Sequence, residues 1–187
     1  MDFLTANIDR FDKAVHLLAA KVSGCTEDKL LAHPVIMKKG SRLWHISIGD
    51  DASGAEPDSD FILPYVINAA FSLEMCLKLL LLRESGSWKN GHDLNNLFLA
   101  VSDESKILMR TTFDELVQGS TFYKEISKAL NEVAKVQFSW NLDKLIAQSS
   151  TAYEDWRYSF EGPGQTGCFA GYYEIRTAIL NAITKIT

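Results

Sequence analysis

Six side chains have the types and spacing to do chemistry together: Glu74 and Lys78, His92 and Asp93, Arg157 and Glu161. Glu74 and Lys78 stand four apart with the acid first, the order that brings a carboxylate and an ammonium together one helical turn apart. His92 has a side chain whose ordinary titration range reaches neutrality, so it could take a proton as a general base. Asp93 follows it just before an apolar run, where a carboxylate can accept from the first N–H groups of a helix. Arg157 and Glu161 form a second i, i+4 pair within an aromatic stretch, and a guanidinium there could neutralise phosphate or a developing oxyanion.

Each pair also has a plainer reading. Glu74–Lys78 and Arg157–Glu161 could be ion pairs that fix packing, and His92–Asp93 could simply cap the next helix. Arg10 and His16 are six residues apart, about 240° around a helix, and do not share a face. His33 and His45 lack ligand spacing, and the three cysteines, Cys25, Cys76 and Cys168, form no cluster with histidine, so no metal site is expected. There is no phosphate-binding Gly-x-x-x-x-Gly-Lys-Ser/Thr loop, nucleophile elbow, His-Glu-x-x-His or Cys-x-x-Cys. The glycine-rich run from Gly162 to Gly167 follows a helical pattern and has no lysine after it, which makes it a turn. No cofactor is expected.

The element that must position Glu74 and Lys78 is the apolar stretch from Phe61 to Leu82. Pro64, Asn68, Glu74 and Lys78 argue against a membrane span, since an acid or ammonium at mid-bilayer costs about 2.5 to 3.5 kcal/mol each. With Asn68 at zero, Ser72 falls at about 40°, Glu74 at about 240° and Lys78 at about 280°, which suggests one shared polar face on a helix otherwise apolar all round. Such a helix is buried by its neighbours.

Those neighbours are legible too. Leu4, Ile8, Phe11, Val15, Leu18 and Val22 recur at helical spacing and stop at Ser23–Gly24. From Cys25 to Asp60 the pattern weakens, with one short extended piece around Leu43 to Ile48 and a polar loop over residues 49–60. Short helices are expected after Asp93 and Ser102, then a longer one after Ser120 that kinks near Asn141, and a last one from Phe169 to Ile186. No repeat or sustained strand alternation occurs. The pattern implies one all-α domain over residues 1–187.

Net charge of -5 and a pI near 5.4 give no global case for binding duplex DNA or an acidic membrane. Three unpaired cysteines suit a reducing compartment, and the N-terminus shows no secretory signal, so a cytoplasmic location is expected.

Three segments in this order, Ser72-Leu73-Glu74-Met75-Cys76-Leu77-Lys78, Gly91-His92-Asp93-Leu94 and Trp156-Arg157-Tyr158-Ser159-Phe160-Glu161, resemble the HEPN-like domain superfamily. The likeness covers roughly Asp60 to Glu161. It implies an up-and-down bundle of about five to seven helices, here with an irregular insertion between the first and central helices. It also implies a homodimer of prokaryotic toxin-antitoxin, abortive-infection or CRISPR-linked systems, acting on RNA or paired with a nucleotidyltransferase or antitoxin. Ribonuclease members carry Arg-x4-6-His on a late helix, and here no histidine follows Arg157.

The expectation is therefore a HEPN-like module whose Glu74, Lys78, His92, Asp93, Arg157 and Glu161 form a polar cluster. That cluster would bind RNA, nucleotide phosphate or a protein partner. One alternative is a metal-independent ribonuclease with His92 as base and Arg157 as charge stabiliser; the other is a structural dimerisation module.

Overall fold

The computed structural model describes residues 3–39, 42–46, 57–134, 138–150, 152 and 167–186. Arg157, Glu161, the glycine-rich run before Gly167 and most of the polar loop lie outside them. The chain is mostly helical: α1 is Phe3–Ser23, α2 Ile62–Ser85, α3 Leu94–Ala100, α4 Asp103–Gln118, α5 Thr121–Ala129, α6 Leu142–Gln148 and α7 Tyr172–Lys185. A π-helical stretch, Leu130–Ala134, continues α5.

α2 lies at the centre, packed along α1 and α7 and touched by α3, while α4 packs on α7. Its apolar surround has the expected result, since Tyr65, Val66, Ala69, Leu73, Leu77 and Leu80 are all fully buried or nearly so. Among the described residues, the stretch Ser59–Ser85 is the one long and apolar enough to cross a membrane by length and composition, and 72% of its most apolar window is buried inside the protein. The helix stops at Ser85 because Gly86 takes a left-handed conformation (φ 73°) that returns its N–H to the Leu82 carbonyl.

Side chains fix the chain's next turns. Asp93 caps α3 by accepting from the Asn96 N–H, and Ser102 caps α4 by accepting from the Ser105 N–H. Glu84 at the end of α2 accepts from both the N–H (3.1 Å) and the hydroxyl (2.6 Å) of Ser102, holding the α3–α4 junction against the central helix. Arg110 of α4 and Asp143 of α6 pair through two hydrogen bonds of 2.9 and 2.6 Å. Asn141, expected at a kink, caps α6 through the Lys144 N–H.

The sheet departs from the all-α expectation. β1 (Val35–Lys39) pairs antiparallel with β2 (Arg42–Ile46) in the register Val35↔Ile46, and with β3 (Gly167–Phe169) in the register Ile36↔Phe169. The extended piece expected near Leu43 is therefore one strand of three. Phe169, expected in the last helix, is a buried strand residue whose ring meets that of Tyr65 edge-on at 6.0 Å. The last helix begins only after Gly171, whose φ is 71°; a Cβ there would sit 3.3 Å from Leu145 Cδ1. β1 is the central strand because it pairs on both edges, and its Val35 and Ile36 both bury completely. The sheet thereby joins the segment between α1 and α2 to the start of α7.

Candidate functional site

The polar residues of α2 do not share one face. Glu74 and Lys78 turn toward the loop before α3, whereas Ser72 lies about 200° from Glu74 and turns toward α7. Asn68 satisfies itself by donating to the Pro64 carbonyl one turn back (2.7 Å). Two separate polar clusters result, on opposite sides of the central helix.

The first is centred on Glu74, whose side chain is 3% exposed. A buried carboxylate needs donors. Lys78 Nζ supplies one at 2.7 Å to Oε1, and His92 Nδ1 reaches both oxygens, at 3.1 and 3.0 Å. Because a carboxylate only accepts, Nδ1 carries the hydrogen and the neutral imidazole keeps its lone pair on Nε2. The Lys78 side chain is 19% exposed and that of His92 49%, so the cluster opens to solvent through its two bases. With neutral His92 the three side chains sum to zero charge; protonation of His92 makes them a cation.

Asp93 belongs to a different arrangement. Its Oδ1 accepts from the Asn96 N–H (2.8 Å) and from the Ser150 hydroxyl (2.5 Å), while the Leu94 N–H donates to the Ser150 carbonyl (3.0 Å). It fastens the start of α3 to the end of α6. Glu74, Lys78 and His92 are thus brought together, Asp93 sits beside them as a cap, and Arg157 and Glu161 lie outside the described residues.

The second cluster was not anticipated. Tyr172 donates to Asp12 Oδ1 (3.1 Å), so Ser72 donates to Tyr172 (2.9 Å), and Arg176 Nε stands 2.9 Å from the same Asp12 oxygen. Beside it, His16 Nε2 meets the Glu27 carbonyl at 3.1 Å, His16 Nδ1 meets His33 Nε2 at 3.4 Å, and His33 Nδ1 meets the Tyr65 hydroxyl at 3.4 Å. His33 is buried among the rings of Tyr65, Tyr172 and Tyr173. Burial, with His16 and Arg176 nearby, pushes its pKa down to about 3, so it is neutral. Burial raises the tyrosines Tyr65 and Tyr172 and pushes the Cys76 thiol up to about 12.

Spacing carried a faint signal of this second cluster. Asp12 and His16 are one turn apart on α1, Tyr172 and Arg176 one turn apart on α7, and Tyr65 and Ser72 two turns apart on α2. What spacing could not supply was that the three helices meet.

On α7, Glu174 is also buried. Tyr123 donates to it, its second oxygen has no hydrogen-bond partner, and desolvation raises its pKa. Tyr123 further lines an open groove of about 570 Å³ with Lys124, Lys128 and Trp140, away from Glu74 and His92. Among the described residues, no group of three or more His, Cys, Asp or Glu side chains could hold a metal ion.

Comparisons with protein-family models, with curated proteins and with solved structures each found no match.

Proposed function

We propose that this chain is a HEPN-like helical module of a prokaryotic defence or toxin-antitoxin system, binding the phosphates of RNA or a nucleotide through the Glu74–Lys78–His92 cluster. The observation that carries the reading is the convergence of two bases from different segments on one buried carboxylate. Glu74 orients both donors, and charge-assisted hydrogen bonds hold them where an anion can approach from solvent. Arg157, near in the likeness to the family, would add a second phosphate contact, with Glu161 orienting it. Homodimerisation, a cytoplasmic location and a cognate nucleotidyltransferase or antitoxin partner belong to the same proposal.

The Glu74–His92 contact favours a second reading. An imidazole held through Nδ1 by a carboxylate presents Nε2 as a base. In a ribonuclease His92 would remove the RNA 2′-hydroxyl proton, the 2′ oxygen would attack phosphorus, and the 5′ oxygen would leave, with Arg157 stabilising the charge that develops. No metal is needed.

Fluorescence anisotropy with a labelled single-stranded RNA, in the presence of chelator, separates the readings when run beside gel analysis of the RNA. The module predicts binding that weakens about tenfold or more in Lys78→Met and His92→Gln, with the RNA intact. Cleavage by wild type that His92→Gln abolishes would favour the ribonuclease. Absence of binding and cleavage would leave Glu74 as a packing group and refute both.

A further inference from the structure

The hydrogen-bond chain on the far side of α2 has one direction, set at its outer end. The Glu27 carbonyl can only accept, so His16 Nε2 carries a hydrogen. Neutral His16 then accepts at Nδ1, His33 must donate from Nε2, and His33 Nδ1 must accept from the Tyr65 hydroxyl. One protein acceptor thus fixes both histidine tautomers and the aim of a buried tyrosine.

We propose that His16 is a proton sensor, and that its protonation flips the tautomer of His33 and turns the Tyr65 hydroxyl around. When His16 gains a proton, both its ring nitrogens become donors, and Nδ1–H faces the Nε2–H of His33. Two donors cannot share a hydrogen bond. His33 resolves the conflict by carrying its single hydrogen on Nδ1, leaving Nε2 to accept from His16. The Nδ1–H then points at the Tyr65 oxygen, which becomes the acceptor. The hydrogen on His33 Nε2 passes to His16 Nδ1, the Tyr65 hydroxyl hydrogen passes to His33 Nδ1, and one proton from solvent restores the Tyr65 hydroxyl, so the added charge rests on His16 and His33 ends neutral.

The surroundings favour that division of charge. His33 is buried among the Tyr65, Tyr172 and Tyr173 rings, with Arg176 near enough to oppose a second positive charge. His16 is half-buried at the rim. Around the pair stand the Glu27 carbonyl on the turn after α1, Tyr65 on α2, and Tyr172, Tyr173 and Arg176 on α7, with Asp12 of α1 held by Tyr172 and Arg176 and Glu174 of α7 near enough to act on Tyr65. Of these, Asp12 lies one turn before His16 on the same helix. The device has a structural reach because His33 is followed by Pro34 and then directly by β1, while Tyr65 belongs to the first turn of α2. Acidification is thereby read at the point where the sheet is fastened to the bundle.

The test is a long-range ¹H–¹⁵N correlation spectrum of the histidine rings across a pH titration of the full chain, with His16→Gln as the companion. In wild type, His33 is expected to carry its hydrogen on Nε2 at high pH. It should move that hydrogen to Nδ1 with the same midpoint as His16, never holding both. In His16→Gln the His33 tautomer should no longer change over that range. The proposal is overturned if wild-type His33 keeps Nε2–H after His16 is protonated, or becomes doubly protonated with it. Should the variant fold poorly, the wild-type spectra alone decide.

Discussion

α2 separates two polar clusters of opposite design. On one side, Glu74 is met by a base on its own helix and a base on the next loop, four and eighteen residues away, and both bases reach solvent. On the other, Ser72, Tyr172 and Asp12 are linked across separations of 100 and 160 residues, and His33 and Tyr65 are buried. The first cluster is built from near neighbours in the chain and is open. The second is built from distant segments and is closed. Short-range construction leaves two bases at the rim able to meet a ligand while Glu74 anchors them from inside, whereas long-range construction makes a cluster part of what fastens distant segments together.

That contrast can be broken experimentally. The largest effect is expected from Glu74→Ala, which strips a largely buried ammonium of its partner: about 3 kcal/mol or more of stability should be lost in urea denaturation. A cost below about 1 kcal/mol would mean that Glu74 is not the organiser of Lys78 and His92.

On the closed side, His33 supplies a pH signature. Its folded pKa lies near 3, below its unfolded value near 6.5, so the unfolded chain binds more protons between those limits. Stability from this residue is complete above about pH 6.5 and is lost as pH falls toward 3, by up to about 1.4 kcal/mol per pH unit. Glu174 works in the opposite sense: its raised pKa gives stability that is full at low pH and declines as pH rises through its folded value. Comparing wild type with His33→Gln by urea denaturation at several pH values isolates the histidine, and the variant should show the shallower acid loss.

Smaller effects follow. Glu174→Gln keeps an acceptor for Tyr123 while removing a buried group whose pKa is raised by desolvation, so the variant should lose less stability than wild type as pH rises. Asp93→Ala should cost about 1 kcal/mol through loss of the α3 cap, and more if the Ser150 bond matters. His92→Gln, at a half-exposed position, should change thermal stability least of all.

The same contrast explains what could be read from the chain in advance. α1, α2 and the glycine stops followed from local periodicity, and Glu74–Lys78 from i, i+4 spacing. That His92 would meet Glu74 followed only from the nearness of the loop to the helix end. The sheet was mostly hidden: β3 is three residues, Gly167-Cys168-Phe169, with no alternation to betray it, and it pairs with a strand some 130 positions earlier. Phe169 reads as helical because it precedes a real helix at helical spacing. The buried network was hidden for the same reason, since the polar side chains of α1, α2 and α7 carry no mark of one another until tertiary contact brings them together. Ser72 shows the error this causes: spacing on α2 alone grouped it with Glu74, although the partner that decides its face, Tyr172, lies 100 residues on.

The most direct measurement pairs one variant from each cluster, His92→Gln and Tyr172→Phe, and follows both thermal stability and affinity for a labelled single-stranded RNA at fixed salt. A crossed result is expected. His92→Gln should melt like wild type and bind RNA about tenfold or more weakly, while Tyr172→Phe should melt lower and, below its transition, bind as wild type does. Wild-type RNA affinity in a folded His92→Gln protein would contradict the assignment of the open cluster as the binding site.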